Sequence, residues 1–263
     1  MSFSKTRQSS VPQRNGIAVV VDTLDKRLIE ESQGIIQLLG KDGQESPEES
    51  MFTLFFGRDG IELRLSQQVH HSGKRVDFLT IDRRIGTGNL SKKQPLPKAI
   101  GEHTAVIDAT AGFGMDAARL ALMGYTVTAI EQSPIISAML RDGLWRAEMD
   151  AACKEALGGR LTIIESDSTQ YLQHLKGVEV VYIDPMFPPK RKKSALPPGH
   201  IQALQSIVGF EDPVKTKELF NIALQTATQR VVVKRPLHAP QIASNPTTIH
   251  EGKIVRYEVY RSV

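Results

Sequence analysis

Three features of the chain predict an α/β fold, Rossmann-like, with a doubly wound and mostly parallel sheet. A glycine turn stands between an apolar run and a helix within residues 105–123. Apolar runs alternate with helical stretches from Thr104 onward. Acids stand at the ends of four of those runs. A smaller, mainly antiparallel β subdomain is expected ahead of this sheet. The boundaries read from the sequence are a flexible tail over 1–13, a small α+β subdomain over 14–80, a linker over 81–103 and the Rossmann-like domain over 104–263.

The composition excludes several classes. At 263 residues, with 40% hydrophobic and 24% charged side chains, the chain suits one sizeable globular domain and an appendage. No apolar run is long enough to cross a membrane, and the first thirteen residues lack the apolar segment of a secretory signal. The single cysteine, Cys153, excludes an internal disulfide framework and a Cys-rich zinc site, and the seven histidines show no ligand spacing. No metal, membrane or stable protein partner is expected, and the cytoplasm is the expected compartment. A net charge of +4 permits nucleic-acid contact without requiring it.

In chain order, residues 17–22 read as a short strand and 28–39 as a helix or irregular connection. Beyond the polar, acidic stretch 43–50, residues 51–56 and 61–65 flank Gly57-Arg58-Asp59-Gly60 as a β-hairpin. Residues 75–79 are expected to add a strand. In the basic, glycine-containing stretch that follows, Arg83 and Arg84 either belong to a solvated loop or face a cofactor or RNA phosphate.

The glycine turn is the centre of the reading. Ala105-Val106-Ile107 ends a buried strand, and 117–123 is a helix with Leu120, Ala121 and Met123 inward. Between them runs Asp108-Ala109-Thr110-Ala111-Gly112-Phe113-Gly114-Met115-Asp116, where Gly112 and Gly114 let the backbone turn sharply and lie against a ligand over the helix N-terminus. A phosphate-binding P-loop needs Lys followed by Ser or Thr after its last glycine, and Met115 and Asp116 stand there instead. Gly112 to Ala117 also matches the GxGxxA turn of dinucleotide-binding proteins, with Glu131 where a ribose-binding acid is expected. Asp108 and Asp116 bracket the glycines with negative charge, which suits the sulfonium and amino group of S-adenosylmethionine better than a pyrophosphate. A nicotinamide-dependent oxidoreductase stays as the alternative.

Residues 125–131 form the next strand, and Ser133 caps a helix that Pro134 opens and that runs through Trp145. Strands follow at 161–165 and 178–184, a helix at 218–227, a strand at 230–236, and a closing hairpin of 247–250 with 254–260. In such a sheet a ligand lies beyond the carboxyl ends of the parallel strands, where Asp108, Glu131, Asp167 and Asp184 all stand. Glu131 is expected on the ribose hydroxyls, Asp167 with Ser168 at the adenine edge, and the 112–116 turn along the methionine part.

Asp184-Pro185-Met186-Phe187-Pro188 is similar to the Asp/Asn-Pro-Pro-Tyr/Phe motif of methyltransferases acting on exocyclic amino groups of bases, with Met186 replacing the second proline. Such an amine is a poor nucleophile because its lone pair is delocalised into the ring. The Asp184 carboxylate and the Pro185 carbonyl can accept its two N–H bonds and favour a pyramidal nitrogen, while Phe187 stacks on the base. Lys190, Arg191, Lys192 and Lys193 follow at once and are expected on RNA phosphates, and Lys234 and Arg235 are expected to reach the substrate strand.

The 108–114 and 184–188 motifs, together with Val231-Val232-Val233-Lys234-Arg235-Pro236, resemble the ribosomal RNA small subunit methyltransferase J family from about Arg83 to the end. The resemblance implies S-adenosylmethionine-dependent methylation of N2 of one guanosine near the 3′ end of 16S rRNA, by a cytoplasmic enzyme whose partner is that rRNA or the small subunit. It also implies cofactor contacts at Met115 and Asp116, Glu131 and Gln132, Asp167 and Ser168, and Asp184. Met115 and Gln132 stand where arginines are common in that family. An adenine-N6 or other nucleic-acid amino-methyltransferase, and a non-catalytic RNA-binding protein keeping the fold, are the alternatives.

Overall fold

A computed structural model describes residues 17–39, 50–68, 70–185 and 212–262. The tail expected over 1–13, most of the polar stretch 43–50, and Phe187 with Lys190, Arg191, Lys192 and Lys193 lie outside the described residues. The chain divides into two compact units, residues 1–58 with 63–73 and residues 59–62 with 74–263.

The N-terminal sheet has the order β1-β2-β3, with β1 at Ile17–Val21, β2 at Phe52–Gly57 and β3 at Gly60–Leu65. Helix α1, Lys26–Leu39, presents Leu28, Ser32 and Ile35 on one buried stripe. It carries the chain from β1 back to the start of β2, so these strands pair in parallel, Ile17 opposite Phe52. The sheet is therefore not mainly antiparallel as expected; only the hairpin of β2 and β3, turned by Arg58-Asp59, has that character. The strand expected at 75–79 does not form. Asp77 accepts the N–H of Leu79 at 3.1 Å and caps a 3-10 turn, Phe78–Thr80, while Val76 and Phe78 are buried.

The larger unit begins with α2, Pro95–Ile100, inside the stretch expected as a linker; its Leu96, Pro97, Ala99 and Ile100 are buried. Then β4 (Ala105–Asp108), α3 (Met115–Leu122), β5 (Thr126–Glu131), α4 (Pro134–Met149), α5 (Ala151–Leu157) and β6 (Leu161–Glu165) alternate. They are followed by α6 (Ser168–Gln173), β7 (Val178–Ile183), α7 (Pro213–Thr226), β8 (Ala227–Pro236), β9 (Thr248–Glu251) and β10 (Val255–Arg261). The sheet order is β6-β5-β4-β7-β8-β10-β9, parallel from β6 to β8, with β10 antiparallel to β8 and β9.

The doubly wound form follows from which faces are apolar. Val181, Ile183, Val231 and Val233 are almost fully buried and pack with Leu219, Phe220 and Ala223 of α7, and Phe220 meets the Tyr260 ring edge-on at 4.9 Å. Helix starts are set by capping: Ser133 accepts from Ile136, Asp167 from Gln170 and Asp212 from Val214, with Pro134 and Pro213 in the first turns. Among the described residues, no helix is long and apolar enough to cross a membrane.

Candidate active site

The strand order reverses between β4 and β7. From β4 the chain winds outward through β5 and β6, and from β7 through β8. At that switch point, over the carboxyl ends of the strands, lies a cleft of about 500 Å³. Six of the expected cofactor residues line it: Gly112, Glu131, Gln132, Asp167, Ser168 and Asp184. Pro185 lines it as well. A wall the sequence reading missed is the first turns of α7, with Lys215, Thr216 and Leu219. The signal for it was Asp212-Pro213, a cap followed by an N1 proline, five residues ahead of the helix start read at Glu218.

The two glycines of the turn serve different ends. Gly112 (φ +53°) lines the cleft and donates its N–H to Glu131 Oε2 at 2.9 Å. Gly114 (φ +69°) does not line the cleft; a Cβ there would stand 2.6 Å from Leu140 Cδ2. Glu131 Oε1 accepts the Ser133 N–H at 2.8 Å, so this buried carboxylate joins the turn to the start of α4. Burial raises its pKa, against the backbone donors that lower it. Ser168 donates its hydroxyl to the Ala109 carbonyl at 2.5 Å, and the Asp184 N–H donates to Thr110 Oγ1 at 2.6 Å. Strand ends that are far apart in sequence are thereby bonded to one another.

Beside the cleft lies a cluster of charges. The β7–β8 register sets Tyr182 opposite Val232 and Ile183 opposite Val233, which brings Asp184 and Lys234 alongside each other. Lys234 Nζ donates to Asp184 Oδ2 at 2.8 Å and to Asp116 Oδ2 at 2.9 Å, and Tyr182 donates its hydroxyl to the same Asp116 oxygen at 2.9 Å. Arg119 pairs with Asp116 Oδ1 at 3.3 Å. Burial pushes the Asp184 pKa up and Lys234 opposes it; for Asp116 burial is outweighed, by Lys234 above all, and its pKa falls. Lys234 is raised despite burial because two carboxylates face it, so it stays charged. Asp108, buried and accepting the Thr110 N–H at 3.1 Å, is pushed up to about 8, first by burial and then by the charges of Asp116 and Asp184.

Other expected site residues stand outside the lining of the cleft. Lys234 is engaged by two carboxylates, and Arg235 is buried with its guanidinium on the Pro240 carbonyl at 2.8 and 3.1 Å. Arg83 faces Asp150, the cap of α5, at 3.7 Å, and Arg84 pairs with its neighbour Asp82 at 2.5 Å in solvent. Neither pairs with a residue of the cleft. Met115 and Asp116 open α3 but do not line the cleft, and Asp116 faces Lys234 instead. Among the described residues, no group of three His, Cys, Asp or Glu side chains is placed to hold a metal ion.

The cleft fits S-adenosylmethionine. Its volume suits a small molecule, its rim carries carboxylates at Glu131, Asp167 and Asp184 for hydroxyl, amino and sulfonium groups, and Gly112 leaves the backbone open to close approach.

Comparisons agree with this geometry. The family model described as "Putative SAM-dependent methyltransferase" matches residues 37–262. The ribosomal RNA small subunit methyltransferase J of Stutzerimonas stutzeri is 39% identical over 223 residues, covering 81% of this chain and 84% of that protein. The protein of the same name from Coxiella burnetii is 39% identical over 218 residues, covering 80% and 83%. The crystal structure of a SAM-dependent methyltransferase from Neisseria gonorrhoeae superposes with a TM-score of 0.68 at 27% identity, covering 93% of this chain and 96% of that one. The chain belongs to the ribosomal RNA small subunit methyltransferase J family, whose members are SAM-dependent methyltransferases.

Proposed function

We propose that the protein methylates the exocyclic N2 of a guanosine near the 3′ end of 16S rRNA, in the cytoplasm, using S-adenosylmethionine. The observation that carries this is Asp184 with Pro185 on the cleft at the switch point, where a carboxylate and the adjoining backbone carbonyl can accept the two N–H bonds of a planar amine. The names of the relatives support small-subunit rRNA as the substrate, and the sequence motif supports an amino group as the acceptor.

Glu131, Asp167 and Ser168 would hold the cofactor's adenosine, and the turn around Gly112 its methionine part. When bound, the cofactor supplies an electrophilic methyl group on a sulfonium centre. Asp184 and the Pro185 carbonyl accept the two N–H bonds of the amine, turning its lone pair out of conjugation and toward that methyl. After transfer the surplus proton passes to Asp184 or to water, and a carboxylate whose pKa burial has raised is a better acceptor for it. Phe187 would stack on the base, and Lys190, Arg191, Lys192 and Lys193 would meet phosphates of the strand that carries it.

The test is methyl transfer from labelled cofactor to undermethylated small-subunit RNA, followed by nuclease digestion and nucleoside mass spectrometry. Label in N2-methylguanosine is the expected result. Label in N6-methyladenosine would keep the amino-group chemistry and overturn the base, and no label on free RNA or on the subunit would overturn the reading.

A further inference from the structure

Asp184 lies on the cleft, yet its carboxylate is held by a lysine that does not line it. Lys234 projects from β8 on the sheet face that Tyr182 and Asp184 share, opposite Tyr257 of β10, and α3 brings Asp116 to the same place. Among the described residues, Asp184 Oδ2 takes the lysine and Oδ1 carries no hydrogen bond, while the backbone N–H is fixed on Thr110. The residue is thus anchored at its backbone and at one oxygen, and among the described residues nothing bonds the other.

We propose that Lys234 is a positioning residue for the transfer reaction: clamped between Asp116 and Asp184, its ammonium fixes one oxygen of Asp184 and leaves the other for the substrate amine. The assignment of the amine as the group received rests on the amino-methyl transfer proposed above; the clamp itself does not. Among the described residues, the charged and titratable groups around Asp184 are Lys234 from β8, Asp116 from α3, Asp108 from β4, Tyr182 from β7 and Tyr257 from β10, with Arg119 of α3 against Asp116. Lys234 and Arg119 are the cations of this set, and Arg119 pairs with Asp116. Removing the lysine therefore leaves Asp184 beside other acids without the cation that bonds it. A merely structural ion pair predicts something else: losing the lysine would then lower stability by leaving two carboxylates uncompensated, with kcat of the folded protein unchanged.

The test uses the full chain with Lys234→Met, close in volume and uncharged, beside Lys234→Arg. The first readout is the Asp184 carboxyl titration followed by ¹³C NMR in cofactor-free protein. In Lys234→Met it should move upward by about one pH unit or more, because the neighbouring cation is gone. The second is turnover on undermethylated small-subunit RNA, where kcat should fall on the order of 10- to 100-fold with cofactor Kd and RNA KM within about threefold, and Lys234→Arg should recover most of it. An unmoved Asp184 titration, or wild-type kcat in Lys234→Met, would overturn the proposal. Should that variant not fold, Asp116→Asn carries the test. It leaves the ammonium to Asp184 alone, so the titration should move downward, and an unchanged or raised value would overturn the clamp. If wild-type protein methylates no amino group but the Asp184 titration still moves in Lys234→Met, the amino-methyl reading fails and the clamp stands.

Discussion

Glu131 Oε2 accepts the backbone N–H of Gly112 at 2.9 Å, 19 residues away in sequence, while Oε1 of the same carboxylate accepts the Ser133 N–H at 2.8 Å. One buried side chain therefore holds the glycine turn in place and stands at the rim where ribose hydroxyls are expected. Its removal should do two things at once. Glu131→Ala should weaken binding of S-adenosylhomocysteine by roughly 10- to 100-fold, since hydrogen bonds to a charged group are worth roughly 1.5–3 kcal/mol. It should also lower the melting temperature of the unliganded protein. Isothermal calorimetry decides: unchanged affinity would mean that Glu131 is only a strut.

Asp108 ties stability to pH. Its carboxyl is pushed from the ordinary 3.8 up to about 8, so the native state holds a proton that the unfolded chain releases near pH 4. The stability this contributes is full below about pH 4 and is lost as pH rises toward about 8. Asp108→Asn cannot titrate. The stability of wild type minus that of the variant, from urea midpoints between pH 4.5 and 8, should fall with rising pH by at most roughly 1.4 kcal/mol per pH unit. A flat difference would place the Asp108 carboxyl at an ordinary value.

Gly114 tests whether the turn is shaped by packing. Its φ of +69° costs an L-residue roughly 1–2 kcal/mol, and a Cβ would in addition stand 2.6 Å from Leu140 Cδ2 and 3.2 Å from Phe78 Cζ. Gly114→Ala should therefore destabilise by more than the conformational cost alone, read as a lower urea midpoint at unchanged m-value. Truncating the obstacle as well, with Leu140→Ala, should make the two effects less than additive.

Much of the larger sheet was legible because its strands are continuous apolar runs ended by acids, and because Ser133-Pro134 marks a helix start in the sequence itself. What was not legible depends on register and crossover. Lys234 reads as a free cation after Val231-Val232-Val233; only the pairing of β7 with β8 sets it beside Asp184, and only the packing of α3 adds Asp116. Arg235, one residue on, was lost for the same reason: its partner is the Pro240 carbonyl of a loop whose path the sequence does not dictate. In the N-terminal sheet the hairpin was local and readable, whereas the parallel ladder of β1 with β2 needed α1 to be recognised as a crossover. Asp77 stood in an alternating stretch but bonds the Leu79 N–H two residues on, and a capped turn replaced the expected strand.

Asp184→Asn separates chemistry from binding. The amide keeps the shape but cannot take up the proton that leaves the amine, and with its one oxygen turned to the Lys234 ammonium its NH₂ stands where an N–H of the amine would be accepted. Single-turnover methyl transfer should fall on the order of 100-fold or more, the usual weight of a positioned acid or base. Binding of S-adenosylhomocysteine should change by no more than about threefold, because the adenosine contacts proposed for Glu131, Asp167 and Ser168 stay intact. Loss of cofactor affinity in step with rate would make Asp184 a binding residue, and a wild-type single-turnover rate would remove it from the reaction altogether.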